Sequence, residues 1–482
     1  MKSDKSAERE LIEGLFAKKF SREDAVRFVR EKNGEKKLEG YKIGKLFAEI
    51  GELFPLLIFY DRHRKEYLRR NSRGVWLSLT EGQARRNLVA LGLSPKPPEN
   101  DPLSEVDRRL LEIRDRSHVD FSGALAGCGE GFREIDSARI LVTSGPALIT
   151  PAPGAWPNLK RFLETLLADD PAQMPVVLGW LKTSIEALLA SAFRPGQALA
   201  IAGPRNCGKS LFQKLLTVFF GNRFARPYSF MAGKTDFNSD LFGAEHLAVE
   251  DDVPSVRIED RRNFGAKIKE ITANEGQRLH AKHRDAILLP VFWRLTISVN
   301  DEPENLMILP PMDESLQDKI ILLRACKAQL PCETETREGR ERCWQILTSE
   351  LPACLAYLLA WKIPDALRSQ RYGVTHFHHP EILRALAELS PESKLAELID
   401  AELFSAPVSF PWNGTAAELE RKLSASSQSA HDARRLFTFN NACGQYLSRL
   451  ANKCPARYVK RHTMAGNSWT IHPPEAAPSV PE

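Results

Sequence analysis

The chain has 482 residues, 43% of them hydrophobic, and a formal charge of only +5. That length is too great for one hydrophobic core and implies three or four domains, and so small a charge excludes any argument for nucleic acid from net charge alone. No apolar run of membrane-spanning length stands out, and the amino end MKSDKSAERELIEGLF mixes charge into the stretch where a signal peptide is continuously apolar, so no membrane contact and a cytoplasmic location are expected.

Residues 1–100 read as helices broken by one strand pair, a small helical or winged module. In EYLRRNSRGVWLSLTE, Tyr67, Leu68, Val75, Trp76 and Leu77 flank a polar turn. Thr80 and Gln83 then form a capping box for the helix in TEGQARRNLVALGL. SPKPPENDP reads as a linker and VTSGPALITPAPGAWP as irregular chain, so 101–170 is expected to be an irregular connecting region. An amphipathic helix over 175–193 precedes the apolar strand ALAIAG, and from there short apolar strands alternate with polar or helical segments over 171–335, the pattern of an α/β domain. A helical linker follows over 336–405. The unit at 406–474 starts near Trp412 and has a helix capped by Thr415 and Glu418, then the helix NNACGQYLSRLANK, then two strands around Ala465-Gly466-Asn467. That outline is a winged helix. The tail, 475–482, reads as disordered.

The eight cysteines, Cys128, Cys207, Cys326, Cys332, Cys343, Cys354, Cys443 and Cys454, form no CxxC and have no histidine pair at zinc spacing. Reduced, mostly buried thiols are expected, and neither a zinc site nor a disulfide frame.

The sharpest chemical signal is GPRNCGKS, which satisfies GxxxxGK[ST] between a strand and a helix. Backbone N–H groups of Gly203, Pro204, Arg205, Asn206, Cys207 and Gly208 and the neighbouring Leu211 surround the phosphates of a nucleotide, apart from the proline, which has no N–H. Lys209 reaches the β and γ phosphates, and the Ser210 hydroxyl ligates Mg2+. About forty residues on, the strand in HLAVEDD ends in Glu250, Asp251 and Asp252. Such carboxylates can ligate the metal, Asp251 foremost, and orient an attacking water; the alternative is an acidic strand end in solvent. A third apolar strand, FWRLTISVND, ends in Asn300, and its apolar run puts it beside the phosphate-loop strand in a parallel sheet, where the amide can hold water or the γ-phosphate.

This ordered series, with the intervening FGAKIKEITANEGQRLHAKHRDAILLPVFWR, resembles the superfamily 3 helicases, a branch of the AAA+ ATPases, and within them the helicase halves of phage, plasmid and poxvirus-type primase-helicases. The resemblance covers about residues 175–330. It implies an α/β fold with an AAA+ P-loop ATPase core, a helical N-terminal region and a C-terminal winged-helix domain. It also implies ATP and Mg2+ as cofactors and a homo-oligomeric ring, a hexamer, with single-stranded DNA in its channel. In that family a helix and a hairpin after the acidic strand carry basic residues to the channel; Lys267, Lys269, Lys282, His283 and Arg284 occupy the corresponding stretch. The family's basic element after the Asn strand, which reaches the neighbouring subunit's nucleotide, is altered here: Lys319 is the first candidate and Arg324 the second.

Between His431 and His472, seven basic side chains face a single acidic one, Asp432. A winged helix there would set Arg449 and Lys453 against a duplex groove and Lys460 and Arg461 against phosphates; a protein-binding or purely structural module is the alternative. No zinc cluster or metal-binding aspartate pair of a primase is present in the amino region, so priming would need a separate primase. The function implied is an ATP-dependent DNA helicase or translocase of a mobile element or virus, acting in DNA replication. The alternative is a DNA-tethered AAA+ regulatory ATPase, a loader or recombination switch. Alone, RLHAKHRDAI reads as a charged surface turn; the resemblance, together with its charge, implies a channel finger.

Overall fold

The computed structural model describes residues 58–474 except 72, 136, 251–257, 275, 281–285, 406–409, 428 and 464–465. At the amino side, Ile58–Asp61 (β1), Glu66–Arg70 (β2) and Trp76–Leu79 (β3) form an antiparallel meander, followed by the helices Glu81–Ala90 (α1) and Glu105–Arg116 (α2). His118–Val119 (β4) joins β1 in parallel, giving the order β3-β2-β1-β4. Phe121–Gly123 (β5), Gly131–Ile135 (β6) and Ala138–Val142 (β7) form a second small sheet. The stretch 101–170, expected to be irregular, therefore holds α2, β4 to β7 and the helix Pro157–Leu166 (α3). Its missed signal was a third capping box, Ser104 with Asp107, which starts α2.

After the helix Gln173–Leu189 (α4), the central elements are Ala198–Gly203 (β8), Lys209–Phe219 (α5), Phe224–Ala225 (β9), His246–Glu250 (β10), Ile258–Ala273 (α6), Gly276–Leu279 (β11), Ile287–Pro290 (β12), Arg294–Asn300 (β13) and Ile320–Arg324 (β14). β11 and β12 pair as an antiparallel hairpin. The other strands form one sheet in the order β14-β8-β13-β10-β9, every pairing parallel. The pairing of Asn300 with Gly203 puts β13 directly beside β8. Both faces of this sheet are covered, which is why its strands read as continuous apolar runs. One face, with Ala198, Ala200, Val249 and Val299, packs on Phe121, Ile140, Phe242, Phe264 and Trp293; the other, with Leu199, Ile201, Ile321 and Leu323, packs on Phe162, Trp180, Phe212 and Leu216.

The stretch expected to be a helical linker, 336–405, divides among three cores. Arg337–Ser349 (α7) and Leu351–Ala360 (α8) bury Cys343, Leu347, Cys354 and Leu358 beside α4 and α5, while Pro380–Glu388 (α9) sends Ile382 and Leu386 to the opposite face of the sheet. Pro391–Leu403 (α10) gives Leu395 and Ile399 to the carboxyl-side core. Contrary to the reading that no apolar run is long enough, Arg337–Ala360 reaches spanning length and apolarity by composition. It is broken at Glu350, whose carboxylate accepts from the backbone N–H groups of Asn158 (3.3 Å) and Leu159 (2.8 Å) and from the Asn158 amide (2.7 Å) at the start of α3.

The carboxyl-side unit comprises Trp412–Thr415 (β15), Ala416–Ala425 (α11), Ala430–Leu436 (α12), Ala442–Lys453 (α13), Tyr458–Thr463 (β16) and Gly466–Ile471 (β17), with sheet order β15-β17-β16. The Thr80–Gln83 and Thr415–Glu418 capping boxes are both formed. Arg262 of α6 joins this unit to the centre: its guanidinium lies 4.5 Å from the Phe439 ring and donates to the Tyr446 hydroxyl at 3.2 Å.

Candidate nucleotide site

The glycines of GPRNCGKS have separate steric reasons. A Cβ on Gly203 would stand 2.6 Å from the Ala325 carbonyl, so β8 packs this closely on the chain leaving β14 only without one. Gly208 is the N-cap of α5 at φ +116°, a left-handed conformation that glycine adopts without strain. No side chain caps α5, so its first N–H groups and the positive end of its dipole are left for an anion. Ser210 is exposed in this first turn.

Lys209 is 6% exposed. Its ammonium donates to the carbonyls of Gly203 (2.8 Å) and Pro204 (2.8 Å) and to Asn300 Oδ1 (3.1 Å). Among the described residues no carboxylate forms an ion pair with it. A buried cation that, among the described residues, meets only neutral groups, these oxygens and Cys207 Sγ at 3.7 Å, is matched to an anionic ligand such as a phosphate. The Asn300 contact follows from sheet order, since β13 ends level with Gly203. Glu250 ends the next strand and is in register with Ser298.

A cavity of about 1220 Å³ opens here, lined by Arg205 to Leu211, Glu250 and Asn300. The volume is ample for a nucleotide. Glu250 and Ser210 offer it oxygen ligands, the donor type that a hard divalent cation takes. Asp251 and Asp252 lie outside the described residues. Arg205, 74% exposed, pairs with Glu302 at 3.4 Å. The Glu302 carboxyl is held below its ordinary value, first by its own backbone N–H and then by Asn305, with Arg205 and Lys209 adding to this.

Sequence reading missed a part of the cavity lining, formed by Leu330, Thr334, Arg340, Cys343 and Trp344. These come from α7 and the chain before it, and no local motif marks them. A tryptophan in the charged stretch REGRERCW was the one available sign.

The cations expected to act on other molecules are variously placed. Lys319 is 12% exposed, and its ammonium is bound to the Ser315 carbonyl (2.8 Å) and Asp318 (2.6 Å). Arg371 approaches Asp318 from the other side at 2.7 Å. Arg324 pairs with Asp169 at 3.2 Å and with Glu381. Neither Lys319 nor Arg324 lines the cavity of its own chain. On α6, Lys267 pairs with Glu270 (2.7 Å) over the Phe230 ring and Lys269 with Asp313 (3.4 Å). The finger residues Lys282, His283 and Arg284 lie outside the described residues. The hairpin below them is anchored by Asn238, which donates to the Arg278 carbonyl (2.9 Å) and accepts from the His280 N–H (2.7 Å). Arg449 and Lys453 converge on the buried Glu392, at 3.6 and 3.5 Å. Lys460 and Arg461 are exposed on β16, Lys460 over the Trp469 ring.

No family model matches the chain, and no curated protein matches it. Among solved structures it is similar to the NrS-1 C terminal region, at TM-score 0.49 and 12% identity over 86% of this chain and 95% of that one. It is also similar to the active helicase Cch of SCCmec type IV (TM-score 0.30, 13% identity, 83% of this chain and 73% of that one). A third similar structure is JCV helicase (TM-score 0.25, 15% identity, 50% of this chain and 62% of that one). Nothing in the functional reading rests on likenesses this distant.

Proposed function

We propose that the chain is an ATP-dependent DNA helicase or translocase of the superfamily 3 type within the AAA+ ATPases, from a mobile element or virus, working in DNA replication as a homo-oligomeric ring. The observation that carries the reading is the contact of Lys209 with Asn300 in a cavity that Glu250 also lines. The strand order β14-β8-β13-β10-β9, with the phosphate-loop strand second, supports it because it brings three sequence-distant motifs to the ends of neighbouring strands.

In this reading the N–H groups from Gly203 to Leu211, other than the proline's, cradle the phosphates of ATP, and Lys209 neutralises them. Ser210 with Glu250 and Asp251 holds Mg2+, which when bound draws charge from the γ-phosphate. Glu250 and Asp252 orient water, and Asn300 fixes the γ-phosphate side of the site. Lys319, or else Arg324, reaches a neighbour's nucleotide after leaving its partners Asp318, or Asp169 and Glu381. Lys267, Lys269, Lys282, His283 and Arg284 hold a single strand by its phosphates. The carboxyl-side unit is a winged helix that meets duplex DNA through Lys460 and Arg461, with Arg449 and Lys453 released from Glu392 on binding.

The test is ATP turnover with and without forked DNA, together with displacement of an annealed strand. Wild type should show DNA-stimulated turnover and strand displacement, and Lys209→Ala neither. Turnover indifferent to DNA, with no strand displaced, would instead favour a regulatory ATPase tethered to DNA.

A further inference from the structure

The polar contribution of α5 continues beyond Lys209. Gln213 and Thr217 follow at intervals of four, so all three project from one helix face. That face lies on the sheet where His246, Ala248 and Glu250 of β10 stand beside Thr296, Ser298 and Asn300 of β13. Contacts form at three levels. Lys209 meets Asn300 at 3.1 Å. One turn on, the Gln213 amide donates to Thr296 Oγ1 at 2.8 Å and to the Val249 carbonyl at 3.2 Å. One turn further, Thr217 Oγ1 lies 2.7 Å from His246 Nδ1, and His246 Nε2 lies 2.7 Å from Thr296 Oγ1. A single chain of hydrogen bonds thus joins the phosphate-loop helix to both strands that end in candidate catalytic groups.

Cohesion alone does not account for it. Leu199, Ile201, Ile321 and Leu323 fill the same sheet face on the neighbouring strands, and apolar side chains would fill these positions without the desolvation that Gln213, His246 and Thr296 undergo at 1%, 0% and 1% exposure. Apolar contacts tolerate sliding of a helix along a sheet, whereas hydrogen bonds hold heavy atoms near one separation and direction. What the chain fixes is the position of α5 along β10 and β13, and with it the separation of Lys209 from Glu250 and Asn300.

We propose that Gln213, Thr296 and His246 are positioning residues for ATP hydrolysis: they set the phosphate-loop helix against the strands bearing Glu250 and Asn300. The inference rests on the reading of this cavity as an ATPase site. It predicts a separation between holding ATP, which the loop backbone and Lys209 perform locally, and hydrolysing it, which needs the strand-borne groups within a fraction of an ångström.

The experiment uses the full chain and compares wild type with Thr296→Val, Thr296→Ser and Gln213→Met, measuring the Kd for Mg-ATPγS, kcat and KM for Mg-ATP, and the thermal midpoint. Val keeps the shape of Thr296 but removes the hydroxyl; Ser keeps it. Met keeps the length of Gln213 and leaves the Thr296–His246 bond in place, so it carries the test if Thr296→Val does not fold. The expected result is Kd within about threefold of wild type for Thr296→Val and Gln213→Met, with kcat down about tenfold or more and KM little changed. Thr296→Ser should recover kcat to within about threefold. Wild-type kcat in both variants would overturn the inference and leave the ATPase reading standing, as would losses of kcat and ATPγS binding that fall together with the thermal midpoint. A wild type that binds no ATPγS would remove both.

Discussion

His246 shows how far a single residue's role depends on its surroundings. In HLAVEDD it is the polar start of an apolar strand; in the fold it is fully buried between two threonine hydroxyls, and burial pushes its pKa down to about 3. The folded chain therefore keeps the imidazole neutral while the unfolded chain takes up a proton near the usual value of about 6.5. Stability from this group is complete above that pH and is lost as pH falls toward 3, at about 1.4 kcal/mol per pH unit. Denaturant titrations at pH 7, 6 and 5 should show His246→Asn, though less stable at pH 7, losing less than wild type by about 0.7 kcal/mol between pH 7 and 6 and by about 1.2 kcal/mol between pH 6 and 5. Equal slopes would show that the imidazole titrates alike in both states. Lys209 and Asn300 are the opposite case: their place at adjoining strand ends was legible because motif and strand end specify it locally.

At the scale of elements, two helices announced by capping boxes, Thr80–Gln83 and Thr415–Glu418, were read from the sequence, while α2 was missed despite its Ser104–Asp107 box. The 101–170 stretch was not, because its strands are two to five residues long and draw their burial from distant partners. One such partner is Glu245, 0% exposed, which accepts from the Gly127 N–H at 2.8 Å and from Arg223 Nε at 2.9 Å. Arg223 in turn donates to the carbonyls of Ser144 (2.9 Å) and Leu125 (3.3 Å), so one ion pair holds the segment after β5, the segment after β7 and the start of β10 together. Glu245→Ala would leave a largely buried guanidinium without its counter-charge, and the expected loss is about 3–5 kcal/mol of unfolding free energy. Chemical denaturation measures it; a loss under about 1 kcal/mol, typical of exposed pairs, would show that water reaches the pair.

At the scale of the whole molecule, the proposed reading assigns two DNA contacts of different kinds, and salt separates them. Each phosphate neutralised on a duplex contributes about −0.9 to the slope of log K against log salt. Lys460→Ala with Arg461→Ala should therefore reduce the slope for duplex binding by about 2, with similar weakening on unrelated sequences. An unchanged slope would assign the exposed face of β16 to another role. Arg449 and Lys453 already have Glu392 as a partner, whereas Lys460 and Arg461 are exposed.

By itself the sequence determined the strand, loop and helix around GPRNCGKS, the strands that end in Glu250 and Asn300, the alternation of an α/β centre and the caps that begin α1 and α11. Each of these depends on residues within a few positions of one another, where backbone geometry, hydrogen-bonding reach and periodicity act directly. Only the tertiary structure decided that 336–405 divides among three cores, that Trp344 and Arg340 wall the cavity, and that Gln213, Thr296 and His246 form one chain. The physical reason is range: burial and buried hydrogen bonds come from groups 50 to 192 positions away in sequence, as from Thr296 to His246 and from Glu350 to Asn158, and the local pattern carries no record of those partners.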